Sequence, residues 1–263
     1  MIVNAAGRSI GYDDVGSGLP VVFIHGFPHD RSLWTSQLGA LAAPVRTLAC
    51  DLRGFGDSPG IATSVDEYAD DVIAWLHALG IPSAVVVGLS MGGYVAFAMW
   101  RKKPALIRAL VLAHTRASPD DDTARARRTQ QMAYVEENGS GALADQLVQS
   151  MIGKTTREER PEIRDRVHAL LTRAPVRGIV GALTAMRDRP DSTSTLPTID
   201  VPTLIIAGDQ DAIISSSETR AMHAAIAGSR LEVVNGVGHL SCLEKPAAFN
   251  HLVSEFLAEL SYS

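Results

Sequence analysis

A chain of 263 residues, 46% hydrophobic and 20% charged, is long and apolar enough to bury a sizeable core without disulfides or metals. Its net charge of −5 gives no electrostatic footprint for nucleic acid. The two cysteines, Cys50 and Cys242, are far apart and in no metal-ligand spacing, so a reducing, cytoplasmic setting is expected rather than a disulfide framework.

The opening segment 1–19 predicts a short antiparallel edge hairpin, with Gly16 and Gly18 in turns. It has neither a basic start nor an apolar h-region, so no secretory signal is expected. Strand-like runs follow at 20–26 (PVVFIHG), 45–51 (VRTLACD), 84–90 (AVVVGLS), 109–115 (ALVLAHT), 203–209 (TLIIAGD) and 230–236 (RLEVVNG). Most are continuous apolar runs, the pattern of parallel strands buried on both faces. Between them lie helices. Ser64 is a candidate cap, with Gly80 as the stop, and Phe249, Leu252, Phe256 and Leu260 fall at helical spacing near the end. The uncharged apolar stretch 84–100 is broken by Ser90 and three glycines and is too short for a membrane span. Strands alternating with helices predict a doubly wound, mostly parallel α/β sheet of eight strands.

Residues 116–195 break the alternation. They contain no convincing strand, and Ser118, Pro119 and the aspartates after them look like a helix start, with Ser118 as the cap and the acids solvated. Ile163, Val167, Leu170 and Leu171 share a helical face. The expected organisation is a core of 1–115 and 196–263 carrying a helical cap at 116–195.

The strongest chemical signal is Gly88-Leu89-Ser90-Met91-Gly92, a G-x-S-x-G at the end of a predicted strand and the start of a predicted helix. A turn this sharp strains the serine and demands small neighbours, and it lifts the hydroxyl above the sheet edge. A serine hydroxyl needs a base, and the base an orienting acid. Asp209 and Asp211 follow one later strand, and His239 follows the last. All lie at C-terminal strand ends, where an open α/β sheet presents its site. Other motifs read as structural. His25 and His29 are spaced i, i+4, but Gly26 and Pro28 exclude a helix and hence a metal pair. The loop DLRGFGDS (51–58) lacks the order of a phosphate cradle, so Asp51, Arg53 and Asp57 are expected to pair and stiffen a turn. GKTT at 153–156 mimics the end of a P-loop but has no preceding strand or first glycine.

Through HGFP (25–28), DLRGFGDS (51–58), GLSMGG (88–93), GDQD (208–211) and GVGH (236–239), the chain resembles the α/β-hydrolase fold superfamily over essentially its whole length. The resemblance implies Ser90 as nucleophile, His239 as general base and Asp211, ahead of Asp209, as the acid. It places the oxyanion-hole donors at the N–H groups of Met91 and Phe27. His25 is expected to brace its loop, and His25, Trp34 and His114 are candidate pocket residues; Trp100 is expected in the core. Serine at position 90 departs from dehalogenases and epoxide hydrolases, which carry aspartate there. The chain is most similar to small carboxylesterases and 3-oxoadipate enol-lactonase-like proteins. It is therefore expected to cleave a small-molecule ester, or alternatively a lactone, without cofactor, metal, nucleic acid or membrane. A carbon–carbon bond hydrolase, a perhydrolase or a non-catalytic receptor would use the same scaffold. An acidic substrate would need cations, for which Arg125, Arg127, Arg128 and Arg187 are the candidates.

Overall fold

The computed structural model describes residues 1–42 and 44–260. One sheet of eight strands has the order β1-β2-β4-β3-β5-β6-β7-β8. β1 (Ile2–Ala5) and β2 (Arg8–Gly16) form the edge hairpin, turning at Ala6 and Gly7. β2 runs antiparallel to β4. All other pairings, among β3 (Leu19–Ile24), β4 (Val45–Cys50), β5 (Ala84–Leu89), β6 (Ile107–Ala113), β7 (Thr203–Gly208) and β8 (Arg230–Val234), are parallel. The six apolar runs thus become the six parallel strands. The polar residue that closes several of them, Ser90 or Asp209, leaves the ladder and enters a loop.

The central strands are apolar at every position because both faces are covered. Val22 and Ile24 pack with α1 (Val65–Ala78) and α2 (Met91–Lys102), whereas Val21 and Phe23 pack with Trp34 and α9 (Pro246–Leu260). Burying such side chains contributes about 1.5–3 kcal/mol each. Ser64 caps α1 in a reciprocal capping box with Glu67, which fixes where the helix begins. α7 (Ser216–Ala225) and the single-turn α8 (Ser241–Glu244) complete the core.

Between β6 and β7 the chain is helical: α3 (Asp122–Met151), α4 (Lys154–Glu159), α5 (Pro161–Thr172) and α6 (Val176–Arg187). Gly139, at φ 81°, breaks α3 into two limbs that pack on α6 and α5. The end of the expected core at 261–263 lies outside the described residues. The expected start at Ser118 is corrected. Asp121 is the cap, accepting from Ala124 N–H at 2.7 Å, and Ser118 Oγ instead donates to Glu218 at 2.8 Å. Asp120 is not solvated either. Its carboxylate is fully buried among Arg116, Arg128 and Arg189, at 2.7, 2.5 and 2.6 Å. No helix among the described residues is long and apolar enough to cross a membrane.

From β3 the chain moves to one side to make β4, then crosses back to place β5 on the other side. That reversal opens a crevice above the C-terminal ends of β3 and β5, the place where such sheets take ligands.

Candidate active site

Ser90 sits at that crevice with φ 54° and ψ −113°, a left-handed conformation that side chains other than glycine rarely adopt. The corner is held on three sides. Ser90 N–H donates to Ala113 O at 2.9 Å, while Gly93 N–H and Thr115 Oγ donate to Ser90 O at 2.9 and 2.8 Å. A Cβ at Gly88 would lie 2.5 Å from Gly92 O, and one at Gly92 would collide with the Ile24 carbonyl. The small neighbours therefore let three backbones meet. They also let α2 start directly after the serine, which brings the positive end of its dipole to this corner.

The loop after β3 rests on this corner, since a Cβ on Gly26 would lie 3.2 Å from Ser90 Cβ. His25 braces the loop from below, its Nδ1 bonding Gly26 O and its Nε2 accepting from Leu52 N–H, each at 3.0 Å. Burial, opposed by the Gly26 contact and by Asp51 and Asp30, keeps this imidazole below the ordinary histidine pKa and neutral. Phe27, next along, lines a cavity of about 560 Å3 together with Ser90 and His239.

Beyond β7, Asp211 rather than Asp209 meets the histidine. Asp211 Oδ2 lies 2.9 Å from His239 Nδ1, and Asp211 Oδ1 accepts from Ile213 and Ile214 N–H at 2.8 and 3.0 Å. Asp209 instead accepts from Gly236 N–H at 2.6 Å and shapes the turn that delivers His239. Burial works against ionisation of Asp211. The adjoining His239 and the hydrogen bonds from His114 and His239 outweigh it, so the carboxyl is held well below the usual carboxylate range. A carboxylate that accepts from the Nδ1–H of an imidazole leaves the lone pair of that ring on Nε2.

The candidate pocket residues fall elsewhere. Trp34 is fully buried against Phe23 and Phe249, with ring centroids 4.9 and 5.9 Å away, because the 3-10 turn carrying it (Arg31–Trp34) tucks beneath β3 on the α9 side. His25 is the brace already described. His114 lies behind Asp211 rather than in the cavity wall, its Nδ1 3.0 Å from Asp211 Oδ2. Trp100 is core, as expected, with its N–H on Thr198. The cavity wall comes instead from Tyr94, from Met186 of α6, and above all from α3, including Arg127, Gln131, Tyr134 and Leu147.

The stiffened turn beside the site uses a different arginine. Asp51 pairs with Arg31, which also reaches Asp57 at 2.7 Å, whereas Arg53 goes to Asp71 at 2.5 Å. The sequence reading also missed Glu244, a fully buried carboxylate. Its Oε1 accepts from Gly238 and Leu240 N–H at 2.9 and 3.2 Å, on either side of His239. Its Oε2 accepts from Gly153 N–H and Thr156 Oγ at 2.8 and 2.6 Å. The GKTT segment thus holds an acidic side chain of the same chain. The available signal was one acid in the otherwise uncharged run HLSCLE.

His114, Asp211 and His239 come close enough together to hold a cation, and they are hydrogen-bonded to one another through Asp211. Ser90 and His239 thus line one cavity, with a carboxylate behind the imidazole and a helix start after the serine, the kinds of group that acyl transfer would use.

Comparison with known proteins agrees with this architecture. The chain is similar to a thermophilic esterase from Thermogutta terrifontis, at 35% identity and a TM-score of 0.94, with 99% of this chain and 98% of that one covered. It is similar to the enol-lactonase from Burkholderia xenovorans LB400, at 25% identity and a TM-score of 0.89 over 98% of this chain and 100% of that one. It is also 27% identical to 3-oxoadipate enol-lactonase 1 of Acinetobacter baylyi, over 99% of this chain and 97% of that protein. Residues 21–252 match the alpha/beta hydrolase family. With that match spanning most of its length, the chain belongs to the alpha/beta hydrolase family.

Proposed function

We propose that the chain is a serine hydrolase that cleaves carboxylic esters of small molecules through an acyl-enzyme. The observation that carries this reading is the convergence of Ser90 and His239 on one cavity, with the buried Asp211 carboxylate 2.9 Å behind His239 Nδ1. Ser90 Oγ attacks the ester carbonyl while His239 Nε2 takes its proton. The carbonyl oxygen becomes an anion faced by the N–H groups of Met91 and Phe27. The tetrahedral adduct collapses, the C–O bond to the alcohol breaks, and His239 returns the proton to the leaving oxygen. Water, deprotonated by the same histidine, then adds to the acyl-serine and releases the acid. Every step moves only a proton or an acyl group between these residues, substrate and water.

Residues 116–195 are, on this reading, a cap that decides which ester enters, because α3 supplies most of the wall opposite Ser90. Two buried free thiols, Cys50 and Cys242, suit a cytoplasmic setting. One observation favours the lactone alternative with an acidic substituent. Of the four arginines singled out, Arg125 and Arg187 pair with Asp188, and Arg128 pairs with Asp120. Arg127 lines the cavity and has no carboxylate partner among the described residues.

The test is hydrolysis of short-chain nitrophenyl esters and of neutral and carboxylated lactones, with fluorophosphonate labelling of the nucleophile. Wild-type protein should turn over and label stoichiometrically, and folded Ser90→Ala should do neither. Substantial turnover by Ser90→Ala overturns the assignment. Labelling of wild type without turnover of any ester, lactone or thioester points to a receptor.

A further inference from the structure

The carboxylate of Asp211 is shared between two histidines. Its Oδ2 lies 2.9 Å from His239 Nδ1 and 3.0 Å from His114 Nδ1, and the two rings meet edge-on at 5.6 Å. A carboxylate only accepts, so both Nδ1 atoms carry a hydrogen. The other nitrogen of His114, Nε2, lies 2.7 Å from the hydroxyl of Ser241, two residues past His239. In the neutral ring Nε2 is then the acceptor, and the Ser241 hydroxyl is the donor. His114 therefore ties the end of β6 to the loop of the acid and to the turn of the base at once.

The backbone is shaped to put it there. His114 has φ 49°, an unfavourable conformation for a side chain with a Cβ, and its N–H holds Ile206 O at 2.8 Å. The ring is completely buried and does not reach the cavity wall. Packing alone requires neither a strained backbone nor two placed nitrogens; orienting a carboxylate does. Asp211 Oδ1 is fixed by two N–H groups of its own loop, and Oδ2 would otherwise be held only by His239. His114 thus gives Oδ2 a holder other than the imidazole it has to orient.

We propose that His114 is a positioning residue for the acyl-transfer site: its Nδ1–H locks the rotation of the Asp211 carboxylate, and Ser241 locks the His114 tautomer. This rests on the proposed roles of Ser90, Asp211 and His239. It implies a five-residue chain, Ser241–His114–Asp211–His239–Ser90, in which the last three do the chemistry and the first two hold it still.

The experiment compares His114→Phe, His114→Asn and Ser241→Ala in steady-state ester hydrolysis, with chemical denaturation of each to establish folding. Phenylalanine keeps a ring of similar size without a donor. Asparagine places an N–H near the Nδ1 position and tolerates the left-handed backbone. His114→Phe should lower kcat about 10- to 100-fold with KM within about twofold, as expected when a catalytic geometry loosens while binding is unchanged. His114→Asn should recover most of that loss, and Ser241→Ala should show a smaller fall in kcat alone. If His114→Phe does not fold, the Asn and Ser241→Ala variants carry the test. In downfield proton spectra, wild type should show two imidazole N–H signals on Asp211, and His114→Asn one.

Wild-type kcat in folded His114→Phe overturns the proposal, as does an equal loss in the Phe and Asn variants. Unchanged kcat in Ser241→Ala with both downfield signals retained overturns the tautomer lock. A Ser90→Ala control separates the two levels. Activity in that control refutes the nucleophile assignment, whereas its inactivity beside an unaffected His114→Phe refutes only the role of His114.

Discussion

Replacing His29 by leucine isolates the cost of carrying a buried histidine through acid. The side chain is 1% exposed, and neither ring nitrogen has a hydrogen-bond partner among the described residues. Burial, reinforced by the nearby His25, His239 and Arg173, lowers its pKa to about 3, although Asp30 opposes the shift. The unfolded chain titrates near 6.5, so between about 6.5 and 3 it binds a proton that the native state refuses. Stability is therefore fully present above pH 6.5 and is lost as pH falls, at about 1.4 kcal/mol per unit. By pH 5 the loss from this residue alone reaches about 2 kcal/mol. Leucine has no such proton, and it removes two unpartnered polar atoms beside a cavity of about 230 Å3 walled by Phe55 and Leu170. His29→Leu should thus match wild type or exceed it by about 1 kcal/mol at pH 7.5. Its advantage should widen by about 2 kcal/mol at pH 5. Urea unfolding followed by fluorescence of Trp34, Trp75 and Trp100, at pH 7.5, 6.0 and 5.0, measures both values at once. Parallel stability curves for the two proteins, with equal m-values, would refute the reasoning.

Three further outcomes are expected. Asp211→Asn should lower kcat by about 10^3- to 10^4-fold, because an amide can present a donor to His239 Nδ1 and favour the wrong tautomer; a loss below tenfold would remove Asp211 from its role. Asp120→Asn should cost about 3–5 kcal/mol in denaturant unfolding, since it leaves Arg128 and the buried Arg189 facing a neutral group, while Arg116 keeps only Glu218 at 3.6 Å. A cost under about 1 kcal/mol would mean the arginines are satisfied elsewhere. Arg127→Gln should raise KM for carboxylated esters or lactones about tenfold, with little change for neutral ones. Equal effects on both classes would deny it any contact with a substrate anion.

The parts of the molecule that were legible in the sequence are those set by neighbours in the chain. The six parallel strands, the Ser64 cap and the glycine-flanked corner at Ser90 each follow from a local pattern. The order Ser90, Asp211, His239 was legible because each follows a strand end, and parallel strands bring those ends to one edge. Pairings between distant segments were not. Arg53 stands two residues from Asp51 and Arg31 twenty, yet the packing of the 3-10 turn makes Arg31 the one that reaches it. Trp34 follows the loop after β3 so closely that the pocket was the natural expectation, yet the turn carries it to the opposite face of the sheet. Asp120 looked like one more acid at a helix start, and three arginines from 116, 128 and 189 converge on it only in the folded chain.

The carboxylate of Glu244 has a consequence for anyone exchanging segments between relatives. Gly153 and Thr156 belong by position to the helical insertion, yet they bind the same carboxylate that flanks His239. His239 N–H also donates to Met151 O at 3.0 Å. A graft cut at the boundaries of β6 and β7 would carry away part of the scaffold of His239 along with the cavity wall. On the proposed function the seam runs inside the insertion: exchanging residues before about 147 is expected to change what is accepted, whereas exchanging 151–156 is expected to disturb the turn that carries His239.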